Sequence, residues 1–228
     1  MRPEDRKLLR ATALFAPLTP LQFDRIAASI VVHGLPRGAL VCRQGERPEF
    51  VYIILDGRVA LLGEAAGRPE TVVEFFDAGD VFIAAAVILD APLLMSVRVV
   101  RDARIALFPA AEFRRLLAQE SALALALVRQ FAQYWRKLIR QIKDLKLKSA
   151  AERVAVFLLA LAPAKDGAAT VTLPQERKLL AAHIGVTPES LSRAFVALRA
   201  VGVGGRGRKV TIDDVARLRA FCGADEVV

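Results

Sequence analysis

The stretch "VTPESLSRAFVALRAVGV", from Val186 to Val203, carries two different patterns on one predicted helix. Four apolar residues recur at the spacing of a helix stripe that faces a core: Leu191, Ala194, Phe195 and Leu198. The first turns also present a carboxylate, a hydroxyl and a guanidinium, at Glu189, Ser192 and Arg193. A helix that only covers a core does not need this polar group, so the flanking sequence has to explain it.

The sequence on either side of this helix predicts a winged helix-turn-helix. Gly202 can end the helix, because glycine adopts the left-handed conformation that commonly closes a helix. The predicted parts, in chain order, are a first helix at Gln175–His183, a tight turn at Ile184-Gly185-Val186, the second helix at Thr187–Ala200, a β-ribbon in "GGRGRKVTI" and a final helix capped by Asp213-Asp214. The ribbon that follows the two helices is the expected wing.

The polar group at the helix start suits the recognition of bases. In a helix-turn-helix the second helix enters the major groove with its N-terminal residues towards the base edges. Arg193 can donate two parallel hydrogen bonds to guanine, and Glu189 can accept one from a cytosine amino group. Their i, i+4 spacing also lets these two side chains pair when no DNA is bound. Alone they could be an ordinary surface ion pair, but the flanking motif favours base reading by Glu189, Ser192 and Arg193.

Five further side chains are predicted to contact DNA phosphates, either from the helix start or from the first helix and the wing: Lys178, Thr187, Ser190, Arg206 and Arg208. The charge distribution agrees with this. Residues 1–127 hold 15 basic and 15 acidic side chains, whereas residues 128–228 hold 18 basic and 9 acidic ones, which accounts for the whole net charge of +9. An excess confined to one half predicts that this half meets a polyanion such as double-stranded DNA.

A long helical segment without glycine or internal proline precedes the motif, over residues 109–162, and "APAKDGAAT" ends it. Its apolar residues are spaced almost as in a coiled coil: Leu127, Phe131, Tyr134, Leu138, Ile142 and Leu145. The same helix of a second copy would cover this stripe, which predicts a parallel homodimer. The alternative is that the stripe packs on the chain's own N-terminal part.

The N-terminal part predicts two short helices and then a small antiparallel β-roll or barrel. Thr19 and Pro20 have the residue types of an N-cap and a first helical position. From Leu35 to Phe108 the chain consists of short β-rich pieces separated by glycines. Asp56-Gly57, between "VYIIL" and "RVALL", predicts a type I′ hairpin turn.

Several classes of protein are not expected. The longest uncharged apolar run, Val81–Leu89, is about half of the ~20 residues of a membrane span, and no signal peptide begins the chain, so we expect a cytoplasmic protein without membrane contact. Two isolated cysteines, Cys42 and Cys222, and two histidines give no metal site. No nucleophile–base pair or phosphate loop predicts an enzyme.

The order of these parts resembles the Crp/Fnr superfamily of bacterial transcription regulators. The most specific match is "LPQERKLLAAHIGVTPESLSRAFVALRAVGV", and "RGALVCRQGERPEFVYIILDGRVALL" and "GDVF" are similar to the family's β-roll. The resemblance implies an α+β fold with a cyclic-nucleotide-binding-like sensor roll at residues 1–116, a dimerisation helix at 117–148 and a winged helix-turn-helix domain at 149–228.

The pattern E-x-x-S-R at Glu189, Ser192 and Arg193 resembles the Fnr/FixK/Dnr branch, whose half-site is TTGAT in an inverted repeat. The cyclic-AMP-receptor branch instead has an arginine before the glutamate, where this chain has Pro188. The resemblance therefore implies a homodimer that reads TTGAT-like half-sites, works with RNA polymerase and responds to an effector at the roll.

The predicted effector pocket departs from the family's nucleotide-binding cassette, F-G-E-L followed by R-S/T. Phe82 and Ser96 are kept, but Ile83 replaces the glycine, Ala84 the glutamate and Met95 the arginine. A buried phosphate without a cationic partner is costly. Cyclic AMP is therefore not the expected effector.

Two interpretations of this apolar pocket remain open at the level of sequence. In one, its own side chains fill it; in the other, it holds haem, as in the nitric-oxide and carbon-monoxide sensors of the superfamily, with His33 as the candidate axial ligand. An iron–sulfur cluster would need N-terminal cysteines, which the first twenty residues lack. The alternative from another class is a ligand-binding or interaction protein that does not bind DNA.

Overall fold

Two antiparallel β-sheets organise the protein, one in each half of the chain. The computed structural model describes residues 1–64, 70–164, 166–173, 180–181 and 184–223. It divides into two compact units, Met1–Trp135 and Arg136–Val228. Over the described residues, no helix is both long and apolar enough to cross a membrane.

The first unit begins with two short helices and continues into a six-stranded sheet. Thr19 caps the second helix as predicted, in a reciprocal capping box with Gln22 that follows into Pro20. The elements in chain order are α1 (Pro3–Ala11), α2 (Pro20–Ala27), β1 (Val31–Leu35), β2 (Leu40–Cys42), β3 (Phe50–Gly63), β4 (Thr71–Asp77), β5 (Val81–Phe82), α3 (Ala84–Leu89), β6 (Ser96–Pro109) and α4 (Ala110–Gln119).

The predicted hairpin at Asp56-Gly57 is wrong, because β3 runs straight through these residues. The strand is 14 residues long and pairs with β6 on one side and with β4 and β5 on the other. Its register against β6 shifts on both sides of Asp56, and Gly57 has φ +94°. A Cβ there would overlap the backbone of Asp102 and Ala103. The glycine therefore serves a bulge with close backbone contact.

The segment predicted to be one continuous helical run is divided into three helices. They are α4, α5 (Ser121–Leu147) and α6 (Ala150–Leu161). Glu120 is extended between the first two, and Ser149 caps the third by accepting a hydrogen bond from the backbone N–H of Glu152, whose carboxylate accepts the N–H of Ser149 at 2.7 Å. A capping box stabilises a helix start, so it separates α6 from α5.

The second unit contains the predicted winged helix-turn-helix. Its three-stranded sheet has the order β7–β9–β8, in which β8 and β9 form the expected ribbon and β7 is an additional strand. The elements after α6 are β7 (Ala169–Thr172), α7 (Pro188–Leu198), a 3₁₀ turn (Arg199–Val201), β8 (Val203–Arg206), β9 (Lys209–Ile212) and α8 (Val215–Phe221). Gly202 ends the second helix with φ +85°, and Asp214 caps α8. The predicted first helix, Gln175–His183, lies largely outside the described residues.

Candidate functional site

Helix α7 buries one face and exposes the other, as its sequence predicts. Its N-cap, Thr187, accepts a hydrogen bond from the backbone N–H of Ser190 at 3.2 Å. The stripe of Leu191, Ala194 and Leu198 is buried in the core of the second unit. Everything polar at the helix start is consequently left at the surface.

The three predicted base-reading residues lie together on this surface. Glu189, Ser192 and Arg193 are all exposed. The Ser192 hydroxyl donates to the carbonyl of Pro188 at 3.0 Å, and Arg193 Nη2 donates to the hydroxyl of Ser190 at 3.0 Å. The guanidinium is therefore held at the N-terminal end of the helix, where the groove-reading residues of such a helix are found.

The expected pairing of Glu189 with Arg193 does not occur among the described salt bridges. Instead, hydrogen bonds from its own backbone N–H and from the Thr187 hydroxyl lower the pKa of Glu189, with a smaller contribution from Arg193. The orphan N–H groups of a helix start attract a carboxylate at this position. Glu189 is therefore ionised and can accept further hydrogen bonds.

The turn before α7 is fixed by a glycine and by an arginine that sequence reasoning did not single out. Gly185 has φ +72°, and a Cβ there would lie 2.8 Å from Leu145 Cδ2. Arg153, on α6, donates to the carbonyl oxygens of Ile184 at 3.2 Å and Gly185 at 3.3 Å. Nothing in the local sequence pattern marks Arg153, because its partners are backbone atoms 31 and 32 residues away.

The wing presents basic side chains at its tip. Arg206 and Lys209 face each other across the ribbon and are exposed, and only Gly207 and Arg208 lie between them. Arg208 is exposed as well, but its Nε donates a hydrogen bond to the carbonyl of Leu173 at 2.8 Å, which restricts the position of the guanidinium. Lys209 was not among the predicted contacts. Lys178 was among the predicted contacts, but it lies outside the described residues.

Helix α5 has an exposed apolar stripe that differs in part from the predicted one. Two predicted members pack within their own unit: Leu127 is only 3% exposed, and the Tyr134 ring stacks on Phe76 with centroids 6.0 Å apart. Leu138 is half-buried. The exposed apolar residues at helical spacing are Val128, Phe131, Trp135, Ile139, Ile142 and Leu145. An exposed apolar stripe of this kind on a helix is typical of a protein–protein interface.

The five residues of the predicted effector pocket are packed into the roll. Phe82 and Ala84 are each 3% exposed, and Ile83 and Met95 pack against the core. The Ser96 hydroxyl accepts the N–H of Gln44 at 3.0 Å and donates to Glu64 Oε1 at 3.2 Å. Ile83 has φ +68°, a conformation that costs a β-branched residue strain and that glycine adopts freely.

Aromatic rings fill the roll between this pocket and helix α5. Tyr52 stacks on Phe82 at 5.1 Å, Phe82 on Phe76 at 5.9 Å, and Phe76 on Tyr134 at 6.0 Å. Burial raises the pKa of Tyr134, and the nearby carboxylates of Glu74 and Asp80 raise it further, so its phenol stays neutral. Phe82 of the predicted effector pocket is therefore stacked on both Tyr52 and Phe76.

A cavity of about 650 Å³ opens elsewhere in the same unit. Its lining is mostly apolar, with charged groups at Glu46, Arg47 and Glu49, and includes none of the five predicted effector residues. His33 lines it and is exposed. Ser96 instead lines a smaller pocket of about 290 Å³, together with Glu64.

The charges of the larger cavity oppose haem, although His33 in its lining is the candidate axial ligand. The carboxylates of Glu46 and Glu49 would repel its propionates, and the guanidinium of Arg47 already pairs with Asp90 at 3.3 Å. Burial, and secondarily Glu46, raise the pKa of Cys42 to about 12, so this thiol is not available as a thiolate ligand. Among the described residues there is no group of three or more side chains that could hold a metal ion.

Two family models match the chain. A cyclic nucleotide-binding domain matches residues 32–120, and a Crp-like helix-turn-helix domain matches residues 152–221. The matched regions fall on the roll and on the winged helix-turn-helix unit respectively.

Known proteins resemble the chain over nearly its full length. It is 24% identical over 217 residues to the CRP-like cAMP-activated global transcriptional regulator of Mycobacterium tuberculosis, across 93% of this chain and 97% of that relative. The crystal structure of DNR from Pseudomonas aeruginosa matches with 29% identity and a TM-score of 0.53, across 97% of this chain and 99% of DNR. The structure of FixK2 from Bradyrhizobium japonicum shares the fold, with 23% identity, a TM-score of 0.71 and coverage of 86% and 99%.

Proposed function

The chain belongs to the Crp/Fnr family of DNA-binding transcription regulators, and from this premise we propose that it is a homodimer that reads an inverted repeat of TTGAT-like half-sites. The observation that carries the proposal is the exposed group of Glu189, Ser192 and Arg193 at the start of α7, opposite that helix's buried stripe. Each protomer lays this helix start into one major groove, and two grooves about 34 Å apart are read together.

The half-site follows from the donors and acceptors on α7. The Arg193 guanidinium pairs with the guanine of the half-site, and Glu189 accepts from the amino group of a cytosine on the complementary strand. Pro188 occupies the place of the additional arginine of the cyclic-AMP-receptor branch, which removes one guanine contact. Thr187, Ser190, Arg206 and Arg208 position the protein on the phosphates, and Lys178, in the helix predicted at Gln175–His183, is proposed to do the same.

Dimerisation is assigned to the exposed stripe of α5. The interface uses Phe131, Leu138, Ile142 and Leu145 of the predicted set, and adds Trp135, which is 64% exposed. Burial of these side chains against the same helix of a second copy removes a large apolar area from water. RNA polymerase is the expected further partner of the DNA-bound dimer.

The effector is not cyclic AMP, although the Mycobacterium tuberculosis relative is described as cAMP-activated. The cassette offers no cation where the cyclic phosphate would lie, because Met95 occupies that position, and Ala84 cannot hold a ribose hydroxyl. Haem-based gas sensing is the second interpretation of the roll. The position of His33 on the cavity favours haem binding, and the two cavity carboxylates oppose it. The visible spectrum of protein purified from haem-supplied cells tests this interpretation: a Soret band would support haem binding, and its absence would contradict it.

A gel-shift titration tests the DNA-binding proposal. The full-length protein should bind a duplex with two TTGAT half-sites in inverted repeat at least a hundredfold more tightly than a scrambled duplex of the same composition. Affinity should fall steeply with salt, since phosphate contacts release counterions. Equal and weak binding of both duplexes would instead favour a ligand-binding protein whose C-terminal unit has another role.

A further inference from the structure

The larger cavity of the roll is separate from the predicted effector pocket and has a different chemistry. We propose that it is a binding site for a small organic cation with an aromatic or apolar body, such as an aryl- or alkylammonium group. The argument rests on the shape of the cavity, its aromatic wall and the balance of its charges.

The shape suits a small molecule. A volume of about 650 Å³ lies within the range of known ligand sites, which are concave and mostly apolar with a few polar groups. Leucine side chains form much of the lining: Leu35, Leu40, Leu93 and Leu107. These walls favour the body of an organic molecule over a hydrated inorganic ion.

Two aromatic rings line the cavity and are held in place. Phe50 and Tyr52 contact each other edge to face, with centroids 6.2 Å apart, and the Tyr52 ring also stacks on Phe82. Aromatic faces attract cations through the ring quadrupole, and quaternary ammonium groups are the ligands that such walls bind best. Since Tyr52 is fixed by the stack, the wall does not have to be ordered on binding.

The charges in the lining are unbalanced towards the negative. Glu46 and Glu49 contribute two carboxylates, and one oxygen of Glu46 accepts the N–H of Arg43 at 2.9 Å. Arg47 also lines the cavity and pairs with Asp90 at 3.3 Å, a carboxylate that it shares with Arg114 at 3.6 Å, so the lining still holds one more carboxylate than guanidinium groups. A cationic ligand therefore gains an attractive field, whereas an anionic ligand would be repelled.

The phenol of Tyr52 and the thiol of Cys42 add no charge to the cavity wall. Burial raises the pKa of Tyr52 to about 12, with further contributions from Cys42, Glu49 and Glu46. The pKa of Cys42 is about 12 for the same leading reason. The phenol and the thiol are therefore both neutral at pH 7, and the negative field at the wall comes from the two glutamates.

Isothermal titration of the full-length protein with phenyltrimethylammonium tests the site. Its neutral carbon isostere, tert-butylbenzene, has the same shape without the charge. We expect the cation to bind at least tenfold more tightly than the isostere, and the E46Q/E49Q variant to lose at least tenfold of that affinity. Glu64→Gln is the control, because it removes one carboxylate from the smaller pocket instead, and it should leave the affinity unchanged.

A second pair of variants tests the aromatic wall. Tyr52→Phe keeps the ring and should retain the affinity, whereas Tyr52→Leu should weaken it several-fold; circular dichroism confirms that each variant is folded. No binding of the cation, equal binding of the isostere, undiminished binding to E46Q/E49Q or a loss in Glu64→Gln would each overturn the proposal. If a variant fails to fold, the comparison of cation with isostere on the unaltered protein still decides. The assay contains no DNA, so its result is independent of the proposed function.

Discussion

In the proposed complex with DNA, Arg193 is the side chain that discriminates between sequences, because a guanidinium can make two parallel hydrogen bonds to one guanine. Its bond to the Ser190 hydroxyl is an exposed contact that DNA can replace at little cost. Arg193→Ala should weaken binding to the TTGAT repeat by about 1–3 kcal/mol per half-site and reduce the preference for guanine at that position.

The matched control for this prediction is Arg206→Ala, on the exposed edge of the wing. A phosphate contact carries no sequence information, so this variant should weaken binding to specific and scrambled duplexes alike. Gel shifts on duplexes with each base at the guanine position measure both effects. Losses of equal size from both variants on every duplex would contradict the division of roles.

Individual residues also show where a sequence pattern is sufficient and where it is not. The exposed polar group of α7 was predictable, since helical periodicity and the N-cap fix which side chains face solvent. The contact of Arg153 with the turn was not, because its partners are backbone atoms distant in sequence. Ile83 could be predicted only in part. The sequence shows that an isoleucine replaces the glycine of the family's cassette, but only the structure shows that this isoleucine has φ +68°.

At the scale of elements, strand β3 depends on Gly57. A Cβ there would overlap the backbone of β6, and the positive φ adds strain. Gly57→Ala should lower the free energy of unfolding by about 4 kcal/mol. Gly38→Ala is the control, because Gly38 has φ +90° but open space around its Cα, and it should cost only about 1 kcal/mol. Urea unfolding measures both, and similar costs would show that the close approach to β6 is not what requires glycine.

The helices and strands also show why parts of the fold could not be predicted from the local sequence. Asp56-Gly57 between two apolar runs is a sound local signal for a hairpin, but whether a glycine makes a turn or a bulge depends on the partner strand, which local sequence does not contain. The break between α5 and α6 was available in principle, since Ser149 and Glu152 form a capping box. The second helix, the ribbon and the final helix of the winged motif were predicted correctly, because their turns and caps lie close together in sequence.

Helix α5 carries a prediction about association. Ile142 is 48% exposed and lies on the apolar stripe. Ile142→Asp should convert the dimer to a monomer in sedimentation velocity, because a charge at a helix seam loses apolar burial and is poorly solvated. Leu21→Asp is the control: Leu21 is also an exposed apolar residue on a helix, but it belongs to α2 and not to the apolar stripe of α5, and its variant should remain dimeric. A dimeric Ile142→Asp protein would place the interface elsewhere.

The whole molecule is electrostatically asymmetric, with its entire net charge of +9 in residues 128–228. If that half binds DNA, the logarithm of the binding constant should fall linearly with the logarithm of the salt concentration. The slope increases in magnitude by about 0.9 for each phosphate that the protein contacts. Replacing both Arg206 and Arg208 by alanine removes two of the proposed phosphate contacts per protomer, so the slope for a dimer should decrease by about 3.6. Lys7→Ala removes an exposed charge from the neutral half and should leave the slope unchanged. Fluorescence anisotropy from 50 to 200 mM salt measures all three proteins. If the slope changes in Lys7→Ala and not in the wing variant, the DNA contacts lie on the roll. The basic charge of residues 128–228 would then have a role other than DNA binding.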